Sequence, residues 1–303
     1  MARLWYHPGQ TMPGSPRTPG QGRTDTMLLR WTLILALLFP LSLPPRSGEP
    51  PGNDPPRAVV LSPYWGPAIR QWESLIAYWA EERGLDPDLV AAVVRKESIG
   101  QAQKEGPYGA VGLMMVMPAE AGFPWRPSAE ALKDPSLNLA WGTGILTEIV
   151  HKAQGDLVLA LSAYNGGWDQ VHLPSTRQYA QSVLTFYAYA VAGRYGYSYQ
   201  ESKAWTMVLI TQVNGRPQEI QVLSSGHYLA PCFDNVGQLY QAYPWLDSAP
   251  HTVAARYEDG EGRQVQVRVW VLPGPPGLGL HRLIAGVEAA SGEAETPSIQ
   301  PGG

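Results

Sequence analysis

PDLVAAVVRKE, residues 87–97, is the stretch on which the fold turns. Asp86 before it suits a helix N-cap and Pro87 suits the first helical position, so the sequence predicts a helix beginning here. Val90, Val93, Val94 and Glu97 fall at i, i+3, i+4 and i+7, so a carboxylate continues an apolar stripe. Two readings of Glu97 are open on this helix alone. It frays into solvent beside Arg95 and Lys96, or it is buried and therefore paired or held neutral. A carboxylic acid that is neutral at about pH 6–7 is the species that protonates a glycosidic leaving oxygen.

Helical patterning extends on both sides of this stretch. Ile69, Trp72, Leu75, Ile76 and Trp79 keep helical spacing over 69–83, and Gly84 stops the run. Further helical patterns cover 137–153, 156–165 and 176–195, the second ended by Gly166-Gly167. After Gly196 the texture changes. Segments 205–213, 218–223 and 264–272 are β-branched or alternating, with turn signals at Asn214-Gly215 and Asp259-Gly260. The expected architecture is an α-helical domain over 68–197, a small β-rich C-terminal domain of open role over 203–272, and a Gly/Pro-rich tail over 273–303 that is largely disordered, from about 288 onward.

Upstream, 1–26 reads as a disordered leader or a mis-assigned start, with Met27 as the expected true start. Residues 27–46 read as a signal peptide or anchor. Their apolar run, 31–43, is shorter than the ~20 residues of a membrane span and contains Pro40. A Pro/Gly-rich linker covers 47–67. Export to the extracellular space or cell envelope follows, with the apolar segment as the one point of membrane anchoring.

The net charge is −4 and no long basic block occurs, which excludes an electrostatic footprint for nucleic acid. Eleven Trp and fifteen Tyr against four Phe suit sugar-stacking surfaces as well as core and rim positions, and Trp205, Trp245 and Trp270 read as core. The single cysteine, Cys232, allows no intrachain disulfide and reads as a buried apolar residue. The six histidines have no ligand spacing, so no metal site and no cofactor are expected. A monomer is expected.

Downstream of Glu97-Ser98 come Tyr108-Gly109-Ala110-Val111-Gly112-Leu113-Met114-Met115-Val116-Met117-Pro118, then Asp134-Pro135-Ser136-Leu137-Asn138 with Gly142. Ala163-Tyr164-Asn165-Gly166-Gly167 follows, then Thr176 and Tyr179. In this order the motifs resemble those of the SLT-type lytic transglycosylases (E-S, G-A-x-G-L-M-Q-x-M-P, D-P-x-x-N, A-Y-N-A-G), over about 75–195. The resemblance implies a lysozyme-like fold for the helical domain and a groove for the MurNAc–GlcNAc glycan of peptidoglycan. It also implies Glu97 as the sole acid/base. Glu97 would protonate the glycosidic oxygen and then deprotonate the MurNAc 6-hydroxyl, leaving a 1,6-anhydro end, while the substrate's N-acetyl group stabilises the cationic centre. Ser98, Met114, Met115, Met117, Tyr164, Asn165 and Tyr179 are the implied groove residues. Tyr164 would point at Glu97 or the N-acetyl group, Asn165 would also cap local backbone, and Tyr179 begins an apolar stripe. Gly109 and Gly112 would permit positive φ or close backbone approach.

Between 98 and 133 the only acids are Glu105, Glu120 and Glu130, none placed like the second carboxylate of goose-type lysozymes. A hydrolase of that type and a non-catalytic peptidoglycan-binding protein remain the alternatives. Three positions depart from the pattern: Met115 replaces a Gln, Gly106 stands where many members have Ser, and Ser175 replaces an acidic residue. Each removes a polar partner from substrate positioning and leaves Glu97 in place. Altered subsite preference is therefore expected rather than loss of activity.

Overall fold

The computed structural model describes residues 61–224, 227–229 and 249–273; the leader, signal-segment, linker and tail expectations, apart from the linker's last residues, lie outside these, as do Cys232 and Trp245. Helices α1 (Pro67–Arg70), α2 (Glu73–Glu82), α3 (Pro87–Glu97), α4 (Pro135–Lys152), α5 (Leu157–Gly166), α6 (Pro174–Arg194) and α7 (Tyr199–Ser202) precede the strands. These are β1 (Trp205–Val213), β2 (Arg216–Ser224), β3 (His227–Leu229), β4 (His251–Glu258) and β5 (Gln264–Pro273). The protein is thus mainly helical with a small sheet in its C-terminal part. The sheet is antiparallel in the order β3-β2-β1-β5-β4, with Asn214-Gly215 turning β1 into β2.

Two local differences from the sequence pattern have physical reasons. The helix expected over 69–83 breaks at Gln71-Trp72, and the Trp72 indole N–H donates to the Gly100 carbonyl at 2.8 Å. Strand β4, HTVAARYE, lacks alternation because its register shifts between Val253 and Ala255. That irregular edge is where the sheet meets the helices. Arg256 N–H donates to Gly84 O at 2.7 Å, and Asp86 N–H donates to Ala254 O at 2.9 Å. Gly84 has φ +65°, and a Cβ there would lie 2.2 Å from Arg256 O, so both conformation and space demand glycine.

Helix α3 is fixed at its start by its own sequence. Asp86 accepts the Asp88 N–H at 2.9 Å as N-cap, and Pro87 follows. Its carboxylate also takes Arg194 at 2.9 Å, the Tyr187 hydroxyl at 3.0 Å and the Thr252 hydroxyl at 2.7 Å. Asp88 beside it accepts from Ser62 N–H, the Trp65 indole and Arg194. Both buried carboxylates are therefore ion-paired and multiply hydrogen-bonded, the condition under which burial of charge is tolerated.

Trp205, Met207 and Leu209 of β1, with Val267, Val269 and Val271 of β5, join the same buried cluster as Leu89, Val93, Leu146, Leu161 and Leu184 of the helices. Each such side chain stabilises the fold by about 1.5–3 kcal/mol. Three of the long helices bring one end to the sheet. Asp86 of α3, His151 of α4 and Arg194 of α6 lie at the sheet, His151 stacking on Tyr257 at 4.0 Å. Away from the sheet, the C-terminal end of α3 and the first turns of α6 meet at Glu97.

Candidate active site

Glu97 is the last residue of α3 and only 4% exposed, so the stripe predicted from valine spacing is buried up to and including its carboxylate. The Tyr179 hydroxyl, from the first turns of α6, donates to Glu97 Oε1. Lys104 Nζ donates to the Glu97 main-chain carbonyl at 2.6 Å, satisfying one of the carbonyls a helix end leaves open. Burial pushes the Glu97 carboxyl up to about 7, against the Tyr179 hydrogen bond and the charges of Lys104 and Lys96, which pull it down. Tyr179 and Tyr164 are both held well above the ordinary phenol value, first by burial and then by the Glu97 charge, so both stay neutral donors.

The loop after α3 is shaped by residues that never reach solvent. Val111 and Val116 exchange main-chain hydrogen bonds at 2.9 Å across a tight turn, and Gly112 N–H donates to Lys104 O at 2.8 Å. Asn138 clamps this turn. Its amide donates to Val111 O at 2.8 Å and Leu132 O at 2.9 Å, and its oxygen accepts Met114 N–H at 2.9 Å. Gly112, at φ +87°, must be glycine because a Cβ would lie 2.0 Å from the Asn138 amide. Gly109 also has positive φ, +83°, with nothing within 4 Å of an added Cβ, so it answers to conformation alone. Gly142 leaves room for Met114, whose Sδ would be 2.5 Å from a Cβ there. Gly166 likewise makes room for Thr176, whose hydroxyl donates to Gln170 O at 2.7 Å.

The structure gives several of the expected groove residues packing or backbone partners. Ser98 is buried with its hydroxyl committed to Val94 O at 3.1 Å and Gly100 N at 3.1 Å, so it caps the chain reversal after α3 and presents nothing to a ligand. Met114 is fully buried against α4. The Tyr164 hydroxyl donates to Met114 O at 2.8 Å rather than to Glu97; the phenol on Glu97 belongs to Tyr179. Asn165 is buried at the end of α5. Met115 and Met117 keep a sliver of exposure and pack with Ala110, Ala121 and Phe123.

The other acids near the loop are engaged locally. Glu105 pairs with Lys133 at 3.1 Å, Glu130 with the same lysine at 3.0 Å, and Glu120 accepts Ala129 N–H at 3.0 Å. One arginine that sequence reasoning passed over belongs to the site's surroundings. Arg126 donates to Met117 O at 3.3 Å and lies 4.2 Å over the Phe123 ring. It sits in an irregular stretch without periodicity or motif, so no sequence signal marked it. Among the described residues no group of His, Cys, Asp and Glu could hold a metal ion.

Comparison with known proteins places these observations. Residues 74–185 match the family model of the transglycosylase SLT domain. A transglycosylase of enterobacteria phage PRD1 is 37% identical over 118 residues, which cover 39% of this chain and 43% of that protein. An endo-type membrane-bound lytic murein transglycosylase A of Klebsiella pneumoniae is 31% identical over 134 residues, covering 40% of this chain and 60% of the relative. The chain thus spans about half the length of the curated relatives it matches. Among solved structures, a lytic transglycosylase of Pseudomonas aeruginosa aligns at 27% identity with a TM-score of 0.34, over 38% of this chain and 23% of that one. The matched span, residues 74–185, holds Glu97, the clamped loop and Tyr179 and is similar to the transglycosylase SLT domain.

Proposed function

We propose that this protein is a peptidoglycan lytic transglycosylase. It cleaves the β-1,4 bond between MurNAc and GlcNAc and leaves 1,6-anhydro-MurNAc ends, acting in the cell envelope or outside the cell as an exported monomer. The observation that carries this reading is the buried Glu97 carboxyl, protonated up to about pH 7, with a neutral phenol donating to Oε1. Because Tyr179 occupies Oε1, the acid proton sits on Oε2 and is the one presented to substrate. In the first step that proton moves to the glycosidic oxygen as the C1–O bond breaks, and the substrate's own N-acetyl oxygen closes on C1. In the second step the Glu97 carboxylate takes the proton of the C6 hydroxyl as its oxygen bonds to C1 and displaces the N-acetyl oxygen. Glu97 ends protonated, and no water is consumed.

The helical part is read as a lysozyme-like catalytic domain, with the sheet docked at the end away from Glu97. The engagement of Glu105, Glu120 and Glu130 in local contacts supports a mechanism with one protein carboxylate. Digestion of purified peptidoglycan followed by mass spectrometry tests the reading. Anhydro-muropeptides, lost in Glu97→Gln, are expected. Reducing ends would make the protein a hydrolase, and no release would make it a binder.

A further inference from the structure

Arg126 and Trp125 stand on the loop that follows the 114–117 turn. Arg126 is half-buried, and among the described residues it makes no ion pair and uses one of its five N–H donors, to Met117 O. Its guanidinium is held over Phe123, whose ring also meets Trp125 edge-on at 5.6 Å. Trp125 is 65% exposed, the most exposed of the large hydrophobic side chains described. Burial holds the Arg126 guanidinium below its ordinary value, partly offset by Tyr164 and the Glu148 carboxylate, neither of which forms an ion pair or hydrogen bond with it. The loop is continuous with the candidate site. Tyr164 bonds Met114 O and Arg126 bonds Met117 O, so both ends of one turn are tied, and the Tyr164 phenol feels the charges of both Glu97 and Arg126.

We propose that Trp125 and Arg126 form a sugar subsite that reads charge: the indole stacks on a pyranose ring and the guanidinium takes a carboxylate carried by that sugar or its peptide arm. The inference rests on the lytic transglycosylase reading and adds a specificity-determining pair to it. The charge complement identifies the ligand. A neutral sugar leaves the guanidinium unpaired, whereas a lactyl or stem-peptide carboxylate matches its planar fork. Indole faces suit the apolar C–H face of a pyranose.

Calorimetric titration of the full chain carrying Glu97→Gln, so that nothing turns over, tests this with three probes. These are chitotetraose, the GlcNAc–MurNAc disaccharide with its free lactyl carboxylate, and the same disaccharide bearing a tetrapeptide. Adding Arg126→Gln is expected to weaken the two charged ligands by about 10-fold and chitotetraose by less than about 2-fold. Trp125→Ala is expected to weaken all three. A loss confined to the tetrapeptide form assigns the stem carboxylates, a loss confined to the unsubstituted disaccharide assigns the lactyl carboxylate (an amide in the tetrapeptide form), and an equal loss for both shows that the guanidinium takes either carboxylate. If Arg126→Gln leaves the charged ligands unchanged, or weakens chitotetraose as much, the proposal is overturned while the enzyme reading survives. If none of the three probes binds before position 126 is changed, the enzyme reading fails and takes the subsite with it.

Discussion

The Cε methyl of Met115 occupies the place of a side chain at position 106: a Cβ built on Gly106 would lie 2.6 Å from it. The backbone at Gly106 is outside the left-handed region, so its conformation does not call for glycine; the methionine does. Two departures from the family pattern, Gly106 and Met115, are therefore one coupled change, in which an apolar contact fills the space of a polar pair. Met115 itself sits at φ +50°, held there by Ala110, Met117 and the tight turn after Gly112.

Gly106→Ser is expected to destabilise the fold by up to about 1 kcal/mol, because the Met115 Cε is the far end of a flexible side chain and can swing aside. In a Met115→Ala background the same serine should cost much less. Urea unfolding of the four proteins in a double-mutant cycle measures the coupling, and strict additivity would break the pairing.

Glu97 is raised from the ordinary 4.5 to about 7, so the native state binds its proton more tightly than the unfolded chain does. The stabilisation from that proton is complete below about pH 4.5 and is lost as pH climbs to about 7, above which the fold holds a buried charge. Glu97→Gln should therefore be stabilising by about 3 kcal/mol at pH 8 and nearly neutral at pH 4. Chemical denaturation at the two pH values checks it. In the unaltered protein, turnover should fall as pH rises past about 7, because the proton donor is lost.

Tyr179→Phe removes the one side-chain hydrogen bond that pulls the Glu97 carboxyl down. The alkaline limb of the pH–rate profile should move upward, with kcat lowered as the carboxyl loses its orientation. Tyr164→Phe, which frees Met114 O instead, should leave that limb in place.

Thr252→Val deletes a hydroxyl that ties the sheet to the buried Asp86 carboxylate at 2.7 Å, at a cost of about 1–2 kcal/mol. Since β1 and β5 share one apolar cluster with the helices, thermal unfolding should be a single transition in both proteins. A chain ending before β1 should be poorly soluble, with the helical faces that met Trp205 and Met207 laid open. Two separate transitions, or a soluble and cooperatively folded truncation, would show that the helical part folds independently.

Much of the helical part was legible because its signals are local. Asp86-Pro87 starts α3, the valine spacing marks its buried face, Asp134-Pro135 starts α4, and Gly167 ends α5. At the candidate site the valine spacing pointed to a buried Glu97 carboxylate, and the structure buries it. Of the motif residues read as groove contacts, Ser98 bonds the chain reversal after α3 and Met114 packs against Gly142, roles that a motif does not spell out because it records only that a position is constrained. Arg126 had no motif, and its meaning comes from Met117 O and Phe123, nine and three residues away in a loop.

The sequence by itself determined where α3 starts and α5 stops, that 205–213 and 264–272 are strands, and that a carboxylate lies on an apolar stripe. These follow from dihedral preference and from periodicity of 3.6 or 2, both readable over a few residues. Only the tertiary structure decided which phenol meets Glu97, since Tyr179 and Tyr164 both lie within two turns of a helix end and only packing selects between them. It alone joined Thr252 to Asp86, and Met115 to Gly106. Such contacts depend on how the elements cross, and charge or space at a distant position leaves no trace in local pattern.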